Sequence, residues 1–180
     1  MAGTNASAIQ AIEDYKKKIL NEIEKNAIHF CQALCQAAIN YRESNPNKHD
    51  FTGNLLNSIV VCLYKEGSPA YACYAADRVP KAIQVKMTAG YQYRFGRDYE
   101  QDRSFYTPEI DTNQGWGEDD ARRFFNTYKP TGKHMFDIVV AYPTEYAEWV
   151  EIRRGTTGIF GTYYTADKLG VDYLKLPKVS

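Results

Sequence analysis

Four acidic residues in the last third of this sequence are the side chains best suited by type to do chemistry. Asp137, Glu145, Glu148 and Glu151 could supply oxygen ligands to a divalent cation, as in a metal-dependent nuclease. The three glutamates follow one another at steps of three, which is also typical of the exposed face of a short helix. The spacing therefore favours an exposed helix face over a metal site.

Histidines and glycines do not complete a catalytic pattern either. His29, His49 and His134 fall in a predicted helix, a loop and the start of a strand, and none has a nucleophile or acid at a recognisable spacing. Segment 155–161 is rich in glycine, but the Gly-Lys-Ser/Thr of a phosphate-binding loop does not follow it. We therefore expect no enzyme activity and no cofactor.

The four cysteines do not have the spacing of a structural zinc site, which takes four ligands. Cys31 and Cys35 are four residues apart on a predicted helix, so both thiols lie on one face, and we expect them to be buried as small apolar residues. Cys62 and Cys73 flank a predicted turn at 67–68 symmetrically. We expect them to face each other across a hairpin and to stay reduced in a cytosol.

Length and charge narrow the class of protein. A chain of 180 residues fits a single domain, 1–180, with an insertion. Its 22 basic residues equal its 22 acidic residues, so the net charge attracts neither nucleic acid nor an anionic membrane over long range. No signal-like segment begins the chain, and no apolar run is long enough to cross a bilayer, so we expect no membrane contact. The 15 tyrosines suit either protein interfaces or strands and core.

An apolar stripe with steps of three and four predicts one long amphipathic helix over residues 6–41, with Asn5 or Ser7 as its cap and a stop at 44–47. One polar gap, between Ile12 and Ile19, interrupts the stripe. Such a helix is about 50 Å long, so part of its apolar face either meets another subunit or, if the helix is kinked, folds back into the domain. The stripe consists of Ile9, Ile12, Ile19, Ile23, Ala27, Phe30, Leu34, Ala38 and Tyr41.

A capped turn and a hairpin follow the helix. Leu55, Leu56 and Ile59 are expected to face inward, and strands are predicted at 60–64 and 70–76. Because Pro69 cannot donate to the bond that closes a tight turn, the sequence predicts a loop of four or more residues.

Regular structure returns in the last third of the chain. A strand is predicted at 135–142, beside the hairpin, and short helices at 145–152 and 165–173. The order of elements predicts an α+β fold in which a long N-terminal helix packs on a small antiparallel sheet, with short C-terminal helices.

Between the predicted hairpin and the strand at 135–142, residues 77–133 lack periodicity, apart from a helix predicted at 118–128. We interpret them as a large irregular inserted arm. Arginines alternate there with aromatic residues, a composition that suits a protein interface or a nucleic-acid surface. Asp98, Glu100 and Asp102 reduce the positive charge and favour protein contact. The interface candidates in the arm are Tyr91, Tyr93, Arg94, Arg97, Phe105 and Tyr106.

Two short segments, taken in order after the long helix, carry a family resemblance. The first is a Thr-Gly-x-Leu-x-x-Ser-Ile frame, and the second is Tyr-Ala-x-aromatic-Val-Glu followed by Gly-Thr. Together they resemble the head-tail joining family of tailed bacteriophages, which includes tail-completion, neck and minor structural proteins. The matching residues are Thr52, Gly53, Leu55, Ser58, Ile59, Tyr146, Ala147, Trp149, Val150, Glu151, Gly155 and Thr156.

This chain departs from the family pattern at three points. Residues 152–154 lengthen the spacing before Gly155, the arm separates the two segments widely, and no long helix closes the chain.

The resemblance implies a structural virion protein of the neck, assembled in the host cytoplasm. It implies a homo-oligomeric ring of roughly six or twelve copies that joins the head, through its portal or an adaptor, to tail proteins, with incidental contact to packaged DNA. Tyr146 and Trp149 are expected to pack a short helix on the sheet and to place Glu151 at a subunit boundary. The alternatives are a nucleic-acid-contacting packaged or scaffold protein and, less favoured, a metal-dependent nuclease.

Overall fold

The structure is a computed structural model that describes residues 3–44, 53–79, 92–94, 103–105, 116–144, 147 and 158–174. Its elements are α1 (Gly3–Ser44), α2 (Asn54–Asn57), β1 (Val60–Lys65), β2 (Ser68–Tyr74), a 3-10 turn (Ala75–Asp77), β3 (Gln92–Arg94), β4 (Arg103–Phe105), α3 (Trp116–Thr127), β5 (Phe136–Ala141) and α4 (Gly158–Tyr173).

A three-stranded antiparallel sheet lies at the centre of the fold, in the order β2-β1-β5. The middle strand β1 is the most apolar of the three, and residues 60–64 are completely buried because helices cover both faces of the sheet. Alternate residues of β1 point to opposite sides, so Val61 and Leu63 pack under α1 while Val60, Cys62 and Tyr64 pack under α3. The predicted α+β fold is confirmed.

Helix α1 is a single element of 42 residues, and only its second half packs on the sheet. Ala27, Phe30, Leu34 and Ala38 are buried, as the apolar stripe predicts. Residues 6–18 are all exposed, so the first part of the helix extends beyond the described core. The alternative of a two-part helix folded wholly into the domain is wrong.

The β1–β2 hairpin closes more tightly than the sequence suggests. Its turn is only Glu66 and Gly67, both with positive φ (50° and 78°), which is the conformation of a tight two-residue hairpin turn. Pro69 fits because β2 is an edge strand and Pro69 opposes Tyr64 at an irregular position of the ladder. The predicted longer loop is therefore wrong.

The same register shift separates the two cysteines that were expected to face each other across the hairpin. The register shifts between Leu63 and Tyr64, so Cys62 opposes Ala72, and Cys73 opposes Val61. Cys62 and Cys73 belong to core clusters on opposite sides of the sheet. A shift of one residue reverses the side to which every following side chain points, so the expectation that they face each other is wrong.

Helix α3 falls within the predicted arm and agrees closely with the helix expected at 118–128. It covers the side of the sheet opposite α1, where Phe124 and Phe125 pack around Tyr64. The Tyr64 hydroxyl donates to the Phe125 carbonyl at 3.2 Å. This end of the arm is thus part of the domain core.

The C-terminal helix is longer than predicted. Strand β5 agrees with the predicted strand at 135–142 and ends before Pro143, whereas α4 begins at Gly158, seven residues before the expected start. Gly161 lies inside α4 directly under the Tyr41 ring, where a Cβ would be 2.8 Å from a ring carbon. Gly158 and Gly161 resemble turn residues in the sequence, but Gly161 lets α4 approach α1 closely.

No helix in the described ranges combines the length and the apolar run needed to cross a bilayer.

Candidate functional site

The first segment of the family resemblance is largely described, and it shares the main core cluster with Ala147 of the second segment. Gly53, with φ of 76°, starts the turn of α2, and Leu55 and Ile59 are buried in the main core cluster. Ser58 Oγ donates to the Leu55 carbonyl at 2.8 Å and lies 3.5 Å from Thr144 Oγ1. The first segment therefore anchors α2 on the core, beside the residue that leads into the second.

Only the beginning of the second segment can be placed. Ala147 is buried in the main core cluster, and its N–H donates to the Thr144 carbonyl at 3.0 Å. The other residues of the resemblance, and most of the helix expected at 145–152, lie outside the described residues, so their roles stay predictions. These residues are Thr52, Tyr146, Trp149, Val150, Glu151, Gly155 and Thr156.

The interface candidates of the arm are partly placed by a short antiparallel pair, β3–β4. Tyr93 and Arg94 lie in β3 and Phe105 in β4, with Tyr93 opposite Ser104. The other three candidates, Tyr91, Arg97 and Tyr106, lie outside the described residues.

The first exposed apolar surface belongs to α1. Ile9 and Ile12 are 62% and 55% exposed, and Tyr15 is exposed beside them. They continue the stripe that is buried farther along the helix, where Ala27 and Phe30 enter the core. We call residues 9–19 of this surface the α1 stripe; the sequence predicted its isoleucines but did not include Tyr15.

A second exposed apolar surface lies on α4, and the sequence analysis missed it. Tyr163, Val171 and Leu174 are 72%, 68% and 49% exposed. Their spacing of eight and three residues puts them on one side of the helix, away from the buried residues Gly161 and Thr162. This spacing indicates a common helix face only when the helix is known to begin at Gly158. We call this surface the α4 stripe.

Three of the four cysteines act as structural residues with raised pKa values, whereas the contact with Cys35 lowers the pKa of Cys73 to about 7. Removal from water raises the pKa of Cys31 to about 12 and the pKa of Cys62 to about 12. Cys35 Sγ donates to the Cys73 carbonyl at 3.5 Å, and its contact with Cys73, together with burial, also raises the pKa of Cys35. A neutral, enclosed thiol is a poor nucleophile, so Cys31, Cys35 and Cys62 act as small apolar core residues.

Arg42 is an unusual buried charge in the last turn of α1. It is 3% exposed, and within the described ranges none of its three guanidinium nitrogens has a hydrogen-bond partner. The helix dipole favours a cation at this end by about 0.3–1 kcal/mol, which is less than the several kcal/mol that burial of an unpaired charge costs. Because the cost of burial exceeds the gain from the helix dipole, the Arg42 guanidinium requires a hydrogen-bond acceptor that the described residues do not supply.

Possible reaction centres are few in the described structure. A shallow groove between α1 and α4 is lined by His29, Gln32, Arg78 and Thr165 among others. The Thr165 hydroxyl is engaged by the Tyr41 hydroxyl and the Gly161 carbonyl, and no hydrogen bond among the described residues pairs it with His29 as a nucleophile with its base. No group of three or more metal-binding side chains is found in the described part of the chain. Of the four acidic residues considered for a nuclease, only Asp137 is described, so that hypothesis is untested.

Comparisons of the chain with protein-family models, with curated proteins and with solved structures find no match.

Proposed function

We propose that this protein is a structural subunit of a bacteriophage neck, which assembles into a ring and joins the portal of the head to the tail. The observation that carries the proposal is the α1 stripe, in which Ile9, Ile12 and Tyr15 are exposed on a helix that extends beyond its own core. The resemblance of the two sequence segments to the head-tail joining family supports it further, and Leu55, Ile59 and Ala147 of these segments share one core cluster.

The free energy of burial favours a protein partner for the α1 stripe. Complete burial of an isoleucine side chain contributes about 1.5–3 kcal/mol, so Ile9 and Ile12 together leave several kcal/mol available for association. Contiguous exposed apolar surface on a protein typically marks an interaction site.

The proposed work is adhesion and geometry, without bond chemistry or a cofactor. In a closed ring each subunit presents two different patches, one to each neighbour, and the rotation between neighbours fixes the number of copies. The other partners are the portal or an adaptor on one side and tail proteins on the other, with incidental contact to packaged DNA. The site of action is then the neck of the virion.

Mass measurement of the purified chain, alone and with candidate portal and tail proteins, tests the proposal. We expect a closed particle whose mass is a discrete multiple of 20.6 kDa, near six or twelve copies, or such a ring formed on the portal. Negative-stain images should show the same symmetry. A chain that stays monomeric alone and does not bind these proteins would refute the proposal.

A further inference from the structure

Two apolar surfaces of this protein carry a single charge at their centres, and the charges have opposite sign. On α1, Lys16 occupies the polar gap of the α1 stripe, four residues after Ile12 and three before Ile19. On α4, Asp167 lies four residues after Tyr163 and four before Val171, so it sits within the α4 stripe. Side chains three and four residues apart are neighbours on a helix surface, so each charge is flanked by apolar residues on both sides.

We propose that the α1 stripe of one copy packs against the α4 stripe of the next copy, with Lys16 of the first paired to Asp167 of the second. This inference deepens the proposed function and rests on it, because both require that the protein self-associate.

The two stripes cannot meet within one chain. Helix α4 lies against the second half of its own α1, where the Tyr41 hydroxyl and Thr165 Oγ1 are 2.8 Å apart and Gly161 is buried under the Tyr41 ring. Tyr163 and Val171 are on the outer side of α4, away from this contact. Only another molecule can therefore cover the α4 stripe with an α1 stripe.

The exposed part of α1 and helix α4 have similar lengths, and the charges at the centres of the two stripes have opposite sign. The exposed first part of α1, residues 6–18, is about 20 Å long, and the 16 residues of α4 are about 24 Å long. Among the described residues Lys16 pairs with Glu13 alone, at 2.9 Å, and this is an exposed pair with side chains 61% and 52% accessible. Such a pair contributes little, so Lys16 can turn to a carboxylate that becomes enclosed by apolar neighbours.

The contact is heterologous, because each copy gives a different surface to each neighbour. Repetition of one heterologous contact produces a ring when the rotation between copies closes. The central charge pair sets the register, since a shift of one helical turn in either direction places Lys16 or Asp167 against an apolar side chain. Specificity thus comes from the charges, and most of the affinity from the apolar residues.

Charge reversal tests the pairing. Self-association of the full chain is measured by sedimentation velocity for the wild type, Lys16→Asp, Asp167→Lys and the double variant. We expect each single reversal to weaken association at least tenfold and the double variant to restore it to within about threefold. The control pair is Lys17→Asp with Asp167→Lys, because Lys17 is exposed on the same helix but lies off the stripe, and it should give no rescue.

Folding and the apolar contribution are checked separately. Lys16 and Asp167 are exposed, so the thermal unfolding of all variants should match the wild type. Ile12→Gln and Val171→Gln leave Lys16 and Asp167 in place and should each weaken association, because each removes apolar contact.

Each contrary result is informative. A wild type that does not self-associate, single reversals without effect, or a double variant that is not rescued would each overturn this contact. If Lys16→Asp weakens association but Asp167→Lys does not, α1 stripes pair with each other and the inference is wrong. A ring that is indifferent to both reversals would leave the neck function standing without this contact, whereas a rescued pair in an open dimer would support the contact and refute the ring.

Discussion

Ser58 Oγ lies 3.5 Å from Thr144 Oγ1, and this contact joins two buried residues that are 86 positions apart in the chain. Ser58 ends the short helix α2, and Thr144 follows strand β5 and Pro143. The same hydroxyl of Ser58 also donates to the Leu55 carbonyl at 2.8 Å. One side chain therefore both closes α2 and positions it beside the last strand of the sheet.

Ser58→Ala should destabilise the protein more than Thr144→Val. The first change removes the 2.8 Å bond to the buried Leu55 carbonyl, which costs about 1–2 kcal/mol, whereas the second removes only the longer contact. Urea unfolding of both single variants and the double variant measures the coupling, which we expect to be about 0.5 kcal/mol. Equal losses for the two single variants would contradict this ranking.

Gly161→Ala and Gly170→Ala should change stability in opposite directions. At Gly161 the new methyl group would lie 2.8 Å from the Tyr41 ring and push it away from Thr165, at a cost of about 1–3 kcal/mol. At Gly170 the nearest atom is 3.9 Å away, so alanine should stabilise the same helix by about 0.5–1 kcal/mol. Thermal unfolding of the two variants compares them directly, and a stable Gly161→Ala protein would refute the close approach of α4 to α1.

The sequence predicts those parts of the fold in which one periodic pattern dominates. The apolar positions of α1 from Ala27 to Ala38 and the apolar run Val60 to Tyr64 each allow only one way to bury their side chains, so α1 and β1 were predicted correctly. The start of α4 was missed because Gly161 is explained only by the Tyr41 ring, a contact between residues distant in sequence. The α4 stripe was missed with it, since its spacing has meaning only on a helix.

The register of the hairpin could not be read from the sequence for a similar reason. Pro69 favours a long loop when only local chemistry is considered, but an edge strand tolerates a residue that cannot donate. The register shifts between Leu63 and Tyr64, and Tyr64 packs under α3, which is more than 50 residues away. Local propensity cannot contain that information.

Glu66→Asn should stabilise the hairpin by about 0.5–1 kcal/mol. Glu66 has a φ of 50°, a conformation that asparagine adopts more readily than glutamate, and Asn-Gly is the preferred pair for this turn. Gly67→Ala is the matched control and should destabilise the protein, because Gly67 has a φ of 78°. Chemical denaturation measures both changes, and a destabilised Glu66→Asn variant would indicate a different turn.

Gly117→Ala should loosen α3 from α2. The Gly117 N–H donates to Asn54 Oδ1 at 3.1 Å, and a Cβ at this position would lie 2.0 Å from the Asn54 carbonyl oxygen. Because backbone cannot move aside cheaply, we expect a loss of about 2 kcal/mol or more and a change in the fluorescence of the adjacent Trp116. Asp119→Ala, at an exposed position of the same turn, should stay within about 0.5 kcal/mol of the wild type.

Alkaline pH should destabilise the protein through its buried thiols. Burial raises the pKa of Cys31 and Cys62 from 9.0 to about 12 in each case, so above pH 9 the unfolded chain loses thiol protons that the folded chain retains. This contribution to stability is intact below pH 9 and is lost as the pH rises towards 12, at up to about 1.4 kcal/mol per pH unit for each thiol.

Urea unfolding at pH 7.5 and pH 10 measures this loss, and the Cys31→Ala/Cys62→Ala variant separates it from other titrations. Burial also raises the pKa of Tyr64 and of Tyr74, and their contribution remains in the variant. We therefore expect the variant to lose less stability than the wild type between the two pH values, whatever its stability at pH 7.5. An identical drop in both proteins would mean that these two thiols ionise as readily in the folded chain as in the unfolded one.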